Sequence, residues 1–238
     1  MPVLPITSVF APVAAPSTYE HTVERLGTAV RIGILPPGSR LPPERDLADQ
    51  LGISRSTLRQ ALATLTESGH LRALRGRSGG TFVAQTPPVA SVTPFPLERT
   101  RALLDWRMAL ELGTVQLAAE RATDEQREAL RTAGSSWPAS ATDWASFRRA
   151  DAAFHLQIAE ASNTDRIVAA MTRVQGELSD LLARVAQTSE SRDTCLAQHN
   201  AVADAVANGD AAEARAAMRS HLELTEMLLG DRMAQPIG

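Results

Sequence analysis

Residues 41–62 read LPPERDLADQLGISRSTLRQAL, and this stretch decides the fold of the N-terminal part of the chain. Pro43 suits the first position of a short helix, and Gly52 supplies the left-handed residue that ends it. Ser54 can then cap a second helix that runs to about Gly69. Two short helices joined through a turn that contains glycine form a helix-turn-helix.

The second helix of this motif has an apolar face and a polar face. Its predicted buried stripe consists of Leu58, Ala61, Leu62 and Leu65, which leaves Arg55, Ser56, Arg59 and Gln60 outside the stripe. The first residues of such a helix meet base edges in the major groove, and the guanidinium fork of arginine matches guanine or phosphate. The predicted DNA-contacting residues of this helix are Ser54, Arg55, Ser56, Thr57 and Arg59.

The segment that follows predicts a wing. Residues 71–83 read LRALRGRSGGTFV, two short strand-forming runs around a glycine-rich tip. Arg75 and Arg77 flank Gly76 at this tip, where the backbone can approach a duplex and the guanidinium groups can bind phosphate or reach the minor groove. A small module with solvated arginines is the alternative, but the ordered series of two helices, basic face and basic wing favours DNA binding.

The charge is divided unevenly along the chain. The formal net charge is −3, with 24 basic and 27 acidic residues, and all the basic residues are arginine. Residues 19–84 hold nine arginines against six acidic residues, whereas the remainder holds fifteen against twenty-one. This asymmetry indicates that the N-terminal part meets a polyanion and that the rest does not.

The same residues resemble a known family. The runs LPPERDLA from residue 41, LGISRSTLRQAL from residue 51 and GGTFV from residue 79 are similar to the GntR family of bacterial repressors. The resemblance covers about residues 19–84 and implies that Arg45, Arg55, Arg59 and the wing around Gly76 contact the operator. Gln60 and His70 depart from the family pattern, which leaves the fold intact but makes the operator sequence uncertain.

The rest of the chain predicts a mainly α protein with a second, all-helical domain. We expect a disordered tail over 1–18, a winged helix-turn-helix over 19–85, a proline-rich linker over 86–97 and a helical domain over 98–231. Breaks in the helical period fall at residues 134–142, 162–164, 188–191 and 208–209. They predict a bundle of six helices, with seven as the alternative.

Polar residues on apolar faces give this domain its chemistry. Asp151 and His155 are four residues apart inside the apolar stripe of one predicted helix, and His199 and His221 occupy inward positions on two others. Each histidine taken alone is better explained as a hydrogen-bonded core residue than as a metal ligand. Burial of the Asp151 carboxylate is costly unless it is paired, however, and one carboxylate with three imidazoles makes a good shell for a divalent ion. One ion per chain is expected, zinc first, with nickel or manganese as alternatives.

This half also resembles a known domain. The patterns RMALE from residue 107, LAAERA from residue 117 and DAAFH from residue 151, followed by His199 and His221, look like the ligand-binding FCD domain of the FadR subfamily of GntR regulators. The resemblance covers about residues 98–231. It implies Asp151, His155, His199 and His221 as the metal ligands.

Two residues are candidates for contact with a small-molecule effector. Arg107 shares the inward stripe, where it could clamp a carboxylate, although an ion pair with Glu111 explains it equally well. Asn163 could touch the ligand or cap the next helix. Cys195 could be a spare metal ligand, but we expect a packed, inert thiol.

These features predict a transcriptional regulator, not an enzyme. We expect a homodimer on a pseudo-palindromic double-stranded operator, because one helix-turn-helix reads one half-site, and repression controlled by a carboxylate effector. A purely structural metal and a metal-dependent hydrolase are the alternatives; Glu160, the nearest general-base candidate, falls on the polar side of its helix. A single cysteine, no signal-peptide pattern and no long apolar run predict a cytoplasmic protein without a membrane partner.

Overall fold

The computed structural model describes residues 17–76, 79–88, 97–135, 144–182 and 189–233. The N-terminal elements are helices α1 (Thr18–Arg31), α2 (Glu44–Leu51) and α3 (Arg55–Glu67), then strands β1 (Leu71–Leu74) and β2 (Gly80–Val83). The C-terminal elements are α4 (Leu97–Arg121), α5 (Asp124–Ser135), α6 (Trp144–Ala161), α7 (Asp165–Leu182), α8 (Ser189–Asn208) and α9 (Ala211–Met233). The architecture is therefore mainly helical, with one small antiparallel sheet.

Helix α1 begins earlier than the sequence pattern indicated. The Ser17 hydroxyl accepts a hydrogen bond from the backbone N–H of Glu20, whose carboxylate in turn accepts one from the backbone of Ser17. This capping box satisfies two of the free donors at a helix start. Ser17 and Thr18 therefore belong to the folded module and not to a tail, and the remainder of the predicted tail lies outside the described residues.

The helix-turn-helix forms as the sequence predicts. Gly52 ends α2 in the left-handed conformation, with φ 64°, and the hydroxyl of Ser54 accepts a hydrogen bond of 3.1 Å from the backbone N–H of Thr57 at the start of α3. Pro43 lies just before α2 instead of at its first helical position. The predicted stripe is buried and packs against α1, α2 and the wing; its members are Leu58, Ala61, Leu62 and Leu65.

The two strands form the predicted wing. They pair in antiparallel register from Leu71 opposite Val83 to Leu74 opposite Gly80. Gly79 is required at the turn, because a Cβ there would lie 2.6 Å from the carbonyl oxygen of Leu74. The Gly79 carbonyl accepts a hydrogen bond of 2.6 Å from the Arg40 guanidinium, which ties the wing to the segment before α2.

The second half of the described chain is a bundle of six helices, as the sequence predicts. Its largest core brings together residues from five of these helices, including Val115, Leu130, Phe154, Val206 and Met218. Helix α5 continues to Ser135, so the predicted break at 134–142 starts later, and residues 136–143 lie outside the described part. None of the described helices is long and apolar enough to span a membrane.

The two halves pack directly on one another through α1 and α7. A Cβ on Gly176 would lie 2.5 Å from the Thr28 side chain, so glycine permits this close approach of the two helices. The guanidinium of Arg173 pairs with both carboxylate oxygens of Glu24, at 2.9 and 2.7 Å. The sequence indicated only the proline-rich linker as a connection between the two halves. Residues 89–96 of that linker lie outside the described part.

Candidate metal centre and nucleic-acid interface

The polar face of α3 is open to solvent along its first two turns. Ser54, Arg55, Ser56 and Arg59 are exposed, and the buried stripe of the same helix holds this face outward. Thr57 is half-buried beside the cap, where its hydroxyl lies 2.8 Å from that of Ser54. The cap leaves the remaining free N–H groups of the first turn directed outward, which suits an approaching phosphate.

The two outer arginines of the motif are held by neighbouring carboxylates. The Nε atom of Arg59 lies 2.6 Å from Glu44 Oε2, and that of Arg45 lies 3.0 Å from Asp46 Oδ1. Exposed pairs of this kind contribute little to stability and exchange readily for other partners. Both guanidinium groups are therefore available to a nucleic-acid phosphate or base.

The wing presents its basic tip to solvent. Arg75 and Gly76 are exposed, and Gly76 has φ 105°, a conformation that favours glycine. Arg77, the second arginine predicted at this tip, lies outside the described residues. The described part of the tip is compatible with close approach to a duplex.

Three helices of the bundle bring the four predicted metal ligands together in its interior. Asp151 and His155 project from α6, His199 from α8 and His221 from α9, and all four are buried. The Oδ1 atom of Asp151 lies 3.3 Å from His199 Nε2 and 4.0 Å from His155 Nε2. The Nε2 atoms of His155 and His221 are 3.1 Å apart. The structure thus juxtaposes all four residues that the sequence predicted as ligands.

A second group of polar residues from α4 and α7 supports His155 from behind. Its Nδ1 atom makes a short contact with the Glu111 carboxylate. The other oxygen of Glu111 accepts hydrogen bonds from Arg107 Nε at 2.8 Å and from the Gln175 amide at 3.2 Å. A carboxylate behind a histidine sets which ring nitrogen faces the metal and orients the ring. Glu111 and Gln175 therefore hold His155 with Nε2 directed at the cluster.

Arg107 makes the ion pair with Glu111 that was one of the two interpretations left open by the sequence. It is only 2% exposed and pairs with Glu111, while its Nη2 atom lies 3.4 Å from His155 Nε2. Its Nη1 atom is buried, and no hydrogen-bond partner for it lies among the described residues. A buried donor without a partner is costly, so this nitrogen indicates a place for an anionic or carbonyl ligand.

The surroundings prepare the donors for a cation. Burial lowers the pKa of His199 and lowers that of His221 further, with His199 and His155 adding to the shift at His221. Burial alone would raise the pKa of Asp151, but the hydrogen bond from His199 and the nearby imidazoles lower it well below its usual value. Neutral imidazoles and an ionised carboxylate are the forms that bind a metal.

Cys195 also belongs to this cluster, one turn before His199 on α8. Its Sγ atom lies 3.7 Å from Asp151 Oδ1, 3.8 Å from His199 Nε2 and 4.0 Å from His221 Nδ1. Asp151, Cys195, His199 and His221 each offer one donor atom within 4.8 Å of the others. These buried carboxylate, thiol and imidazole donors fit a divalent ion such as zinc.

Asn163 is the one predicted effector contact that the described structure does not bring to the cluster. It lies in the turn between α6 and α7 with φ 52°, and its amide donates to the carbonyl oxygens of Arg121 and Ala161 at 2.9 and 3.4 Å. Gln126 is the third residue within hydrogen-bond distance of its side chain. Asn163 thus ends α6 instead of capping α7, and these contacts give its predicted effector role no support.

The sequence pattern pointed neither to the supporting carboxamide of Gln175 nor to the place of the Cys195 thiol inside the cluster. Gln175 lies between Met171 and Leu178 on the buried stripe of α7, so its helical phase could have marked it as an inward polar residue. The position of Cys195, four residues before His199, was visible, but the direction of its Sγ atom depends on how α8 packs against α6 and α9.

Both halves of the chain match protein-family models. The model of "Bacterial regulatory proteins, gntR family" matches residues 18–83, and the FCD domain model matches residues 102–224. The chain is 35% identical over 217 residues to the "Putative L-lactate dehydrogenase operon regulatory protein" of Escherichia coli, which covers 85% of this chain and 83% of that protein. It is 30% identical over 229 residues to the "Putative HTH-type transcriptional regulator RmpR" of Mycobacterium gastri, covering 90% and 83%.

A solved structure shares the fold. The protein McbR/YncC of Escherichia coli superposes with a TM-score of 0.52 at 22% identity and covers 92% of this chain and all of that one. The sequence matches place the chain in the gntR family of bacterial regulatory proteins, in the FadR subfamily that carries an FCD domain. It is a DNA-binding transcriptional regulator, and its relatives are regulators, not enzymes.

Proposed function

We propose that this regulator represses transcription and is controlled by a small carboxylate that binds beside a divalent ion in the FCD domain. The observation that carries the proposal is the buried cluster of Asp151 and three histidines with the Arg107 guanidinium at its edge. When bound, the ion would supply a positive charge and open coordination positions to an oxygen ligand. Asp151, His155, His199 and His221 are the residues that would hold it.

Charge balance favours an anionic effector. With neutral imidazoles and a thiol, the cluster carries the positive charge of Arg107 and the negative charges of Glu111 and Asp151. A divalent ion would add two positive charges to this net charge of −1, and an anionic effector would be attracted to the ion and to Arg107. The buried Nη1 atom of Arg107, which lacks a described partner, offers a hydrogen bond to such a group.

The effector signal would reach the DNA-binding module through the packed contact of the two halves. Ile32, just after α1, is 1% exposed and inserts among Ala152 and Leu156 of α6 and Met171 of α7. Ala152 adjoins the predicted ligand Asp151. Because packed cores move between discrete arrangements, a small shift of α6 would move Ile32 and α1 with it.

A second route links the same interface to the support of His155. Met171 contacts Ile32, and its sulfur lies 3.8 Å from the Gln175 amide, which donates to Glu111. Glu111 in turn holds both Arg107 and His155. An effector that draws Arg107 away from Glu111 would therefore alter the contacts of α7 with α1, in addition to any effect on the linker.

On DNA, the protein would act as a cytoplasmic homodimer. One helix-turn-helix reads a half-site through Arg45, Arg55 and Arg59, with Arg75 at the wing, so two copies match a pseudo-palindrome. Effector binding would change the separation of the two reading heads and weaken binding to the operator.

The test is an operator titration with and without effector. Since one relative is named for an L-lactate dehydrogenase operon, L-lactate is the first compound to try, with D-lactate, acetate and citrate beside it. The proposal expects about one zinc ion per chain by elemental analysis and an operator affinity that falls when the active carboxylate is added. If the metal-loaded protein binds the operator with the same affinity whichever small carboxylate is added, the ion is purely structural.

A further inference from the structure

The single cysteine of the chain lies at the centre of the cluster and not at its margin. Cys195 is 6% exposed, and its Sγ atom has contacts with three different potential ligands, one on each of α6, α8 and α9. A thiol that merely fills space in a helical core would have apolar neighbours on these sides. Here the sulfur faces a carboxylate oxygen and two ring nitrogens.

The spacing of these atoms can be compared with that of a tetrahedral zinc shell. Bonds of about 2.3 Å to sulfur and about 2.0–2.1 Å to nitrogen or oxygen place neighbouring donors about 3.5 Å apart when one is sulfur, and about 3.3 Å apart otherwise. The sulfur in this cluster has separations of 3.7, 3.8 and 4.0 Å, and Asp151 Oδ1 lies 3.3 Å from His199 Nε2. These four separations lie within about 0.5 Å of the tetrahedral values, and all four donors lie within 4.8 Å of one another.

The two ring nitrogens of His221 face different members of the cluster. Its Nε2 atom lies 3.1 Å from His155 Nε2, whereas its Nδ1 atom lies 4.0 Å from the Cys195 sulfur. The two ring nitrogens of His221 thus face His155 on one side and the sulfur on the other, so the sulfur adds a donor to the cluster without displacing His155.

We propose that Cys195 is an additional ligand of the ion, bound as a thiolate beside the proposed ligands Asp151, His199 and His221. The S–metal bond forms as the thiol releases its proton to water, and no oxidation is involved. This inference rests on the proposed function, since it assumes that the cluster binds an ion, and it adds a ligand that the sequence analysis had set aside. A thiolate in the shell selects zinc over manganese, because manganese prefers oxygen ligands.

Without a metal ion, Cys195 behaves as an ordinary protonated thiol. Burial and the Asp151 carboxylate raise the pKa of the Cys195 thiol well above its usual value, so without an ion the sulfur stays protonated and can donate a weak hydrogen bond to Asp151. Only a cation at this position stabilises the thiolate. A metal titration therefore distinguishes a packed thiol from a ligand.

The experiment is a cobalt titration of the full-length, reduced protein, followed by absorption spectroscopy. Thiolate bound to Co²⁺ gives strong charge-transfer absorption in the near ultraviolet, and Cys195 is the only possible source because the chain has one cysteine. We expect this absorption to grow until one Co²⁺ is bound per chain. It should disappear in Cys195→Ser and persist in the matched variant Met218→Leu, which changes another buried sulfur of the bundle but retains the thiol.

Zinc affinity, measured by competition with a chelator, gives the second readout. Cys195→Ser should weaken Zn²⁺ binding by about tenfold or more and change Mn²⁺ binding little. Uptake of one Co²⁺ per chain without near-ultraviolet absorption would overturn the assignment of Cys195 and leave the metal site itself standing. A wild-type protein that is folded by circular dichroism and takes up neither Co²⁺ nor Zn²⁺ would overturn both proposals.

Discussion

At the scale of single residues, the proposed recognition helix α3 carries its stabilising side chains and its proposed DNA-contacting side chains on opposite faces. The side chains that hold α3 in place lie on its buried stripe, whereas Arg55 and Arg59 are exposed, and Arg59 makes only an exposed ion pair with Glu44. Loss of either arginine therefore removes little from the folded state. Their contribution should appear only when DNA is bound.

We expect Arg55→Ala and Arg59→Ala each to weaken operator binding by about 1–3 kcal/mol, because each removes a guanidinium from the groove-facing surface. The melting temperature should stay close to that of the wild type. Titration of operator DNA at one fixed salt concentration measures the loss. Arg166→Ala, an equally exposed arginine on α7, is the matched control and should bind normally. Wild-type affinity in both α3 variants would contradict the assignment of this surface.

A second residue-scale prediction concerns Arg107. Arg107→Met removes the guanidinium that would anchor a carboxylate, but it also leaves Glu111 with one fewer partner in the core. Breaking a buried pair in this way costs about 3–5 kcal/mol. The double variant Arg107→Met, Glu111→Gln removes both charges and should recover much of the stability. Both variants should retain zinc by elemental analysis but lose the response of operator affinity to the carboxylate; a retained response would place the effector elsewhere.

At the scale of elements, the informative feature is the contact of α1 with α6 and α7. The glycine at 176 lets α7 approach Thr28, and Ile32 reaches the core of the other half. A linker alone would leave the two halves independent. We therefore expect the packing of the bundle to affect the DNA-binding module through this interface.

Ile32→Ala should uncouple the two halves. Truncating this buried side chain costs about 2–5 kcal/mol and removes the contact with α6 and α7. In the wild type, Zn²⁺ should slow amide hydrogen exchange in α1 as well as in α6; in the variant, the effect should remain in α6 and disappear from α1. Val30→Ala is the matched control, because Val30 is equally buried but packs within the N-terminal core. Continued protection of α1 in Ile32→Ala would show that the interface does not carry the signal.

At the scale of the whole molecule, the buried histidines make stability depend on pH. The pKa values of His199 and His221 are lowered in the folded protein, so the unfolded chain binds protons first, below its histidine pKa of about 6.5. Unfolding is therefore favoured as the pH falls below about 6.5. The two histidines make their full contribution to the free energy of unfolding only above that pH. The lowered pKa of Asp151 acts in the same direction at more acidic pH.

For the metal-free protein, we expect the free energy of unfolding to fall between pH 7 and pH 5. Each histidine that protonates only on unfolding contributes up to about 1.4 kcal/mol per pH unit. Denaturant titrations over this range measure the slope, and His221→Gln should flatten it by the contribution of one such group. His70, whose pKa is also lowered by burial, contributes equally in both proteins. Equal slopes in wild type and variant would contradict the contribution assigned to His221.

The sequence by itself determined the elements and most of the site residues. The helix-turn-helix, the wing and the inward positions of Asp151, His155, His199 and His221 all follow from local signals: caps, glycine turns and the 3.6-residue period. These signals depend on residues close together in the chain. They identify which face of a helix is buried, and a polar residue on that face is visible without knowledge of its neighbours.

Only the tertiary structure decided which polar residues meet. The contact of Glu111 with both Arg107 and His155, the place of Gln175 behind them and the direction of the Cys195 sulfur depend on how α4, α6, α7, α8 and α9 pack. The same holds for Ile32, whose insertion into the second core no local pattern predicts. Periodicity gives the angle of a side chain around its own helix axis, whereas rotation and offset between helices are set by the interlocking of all their side chains.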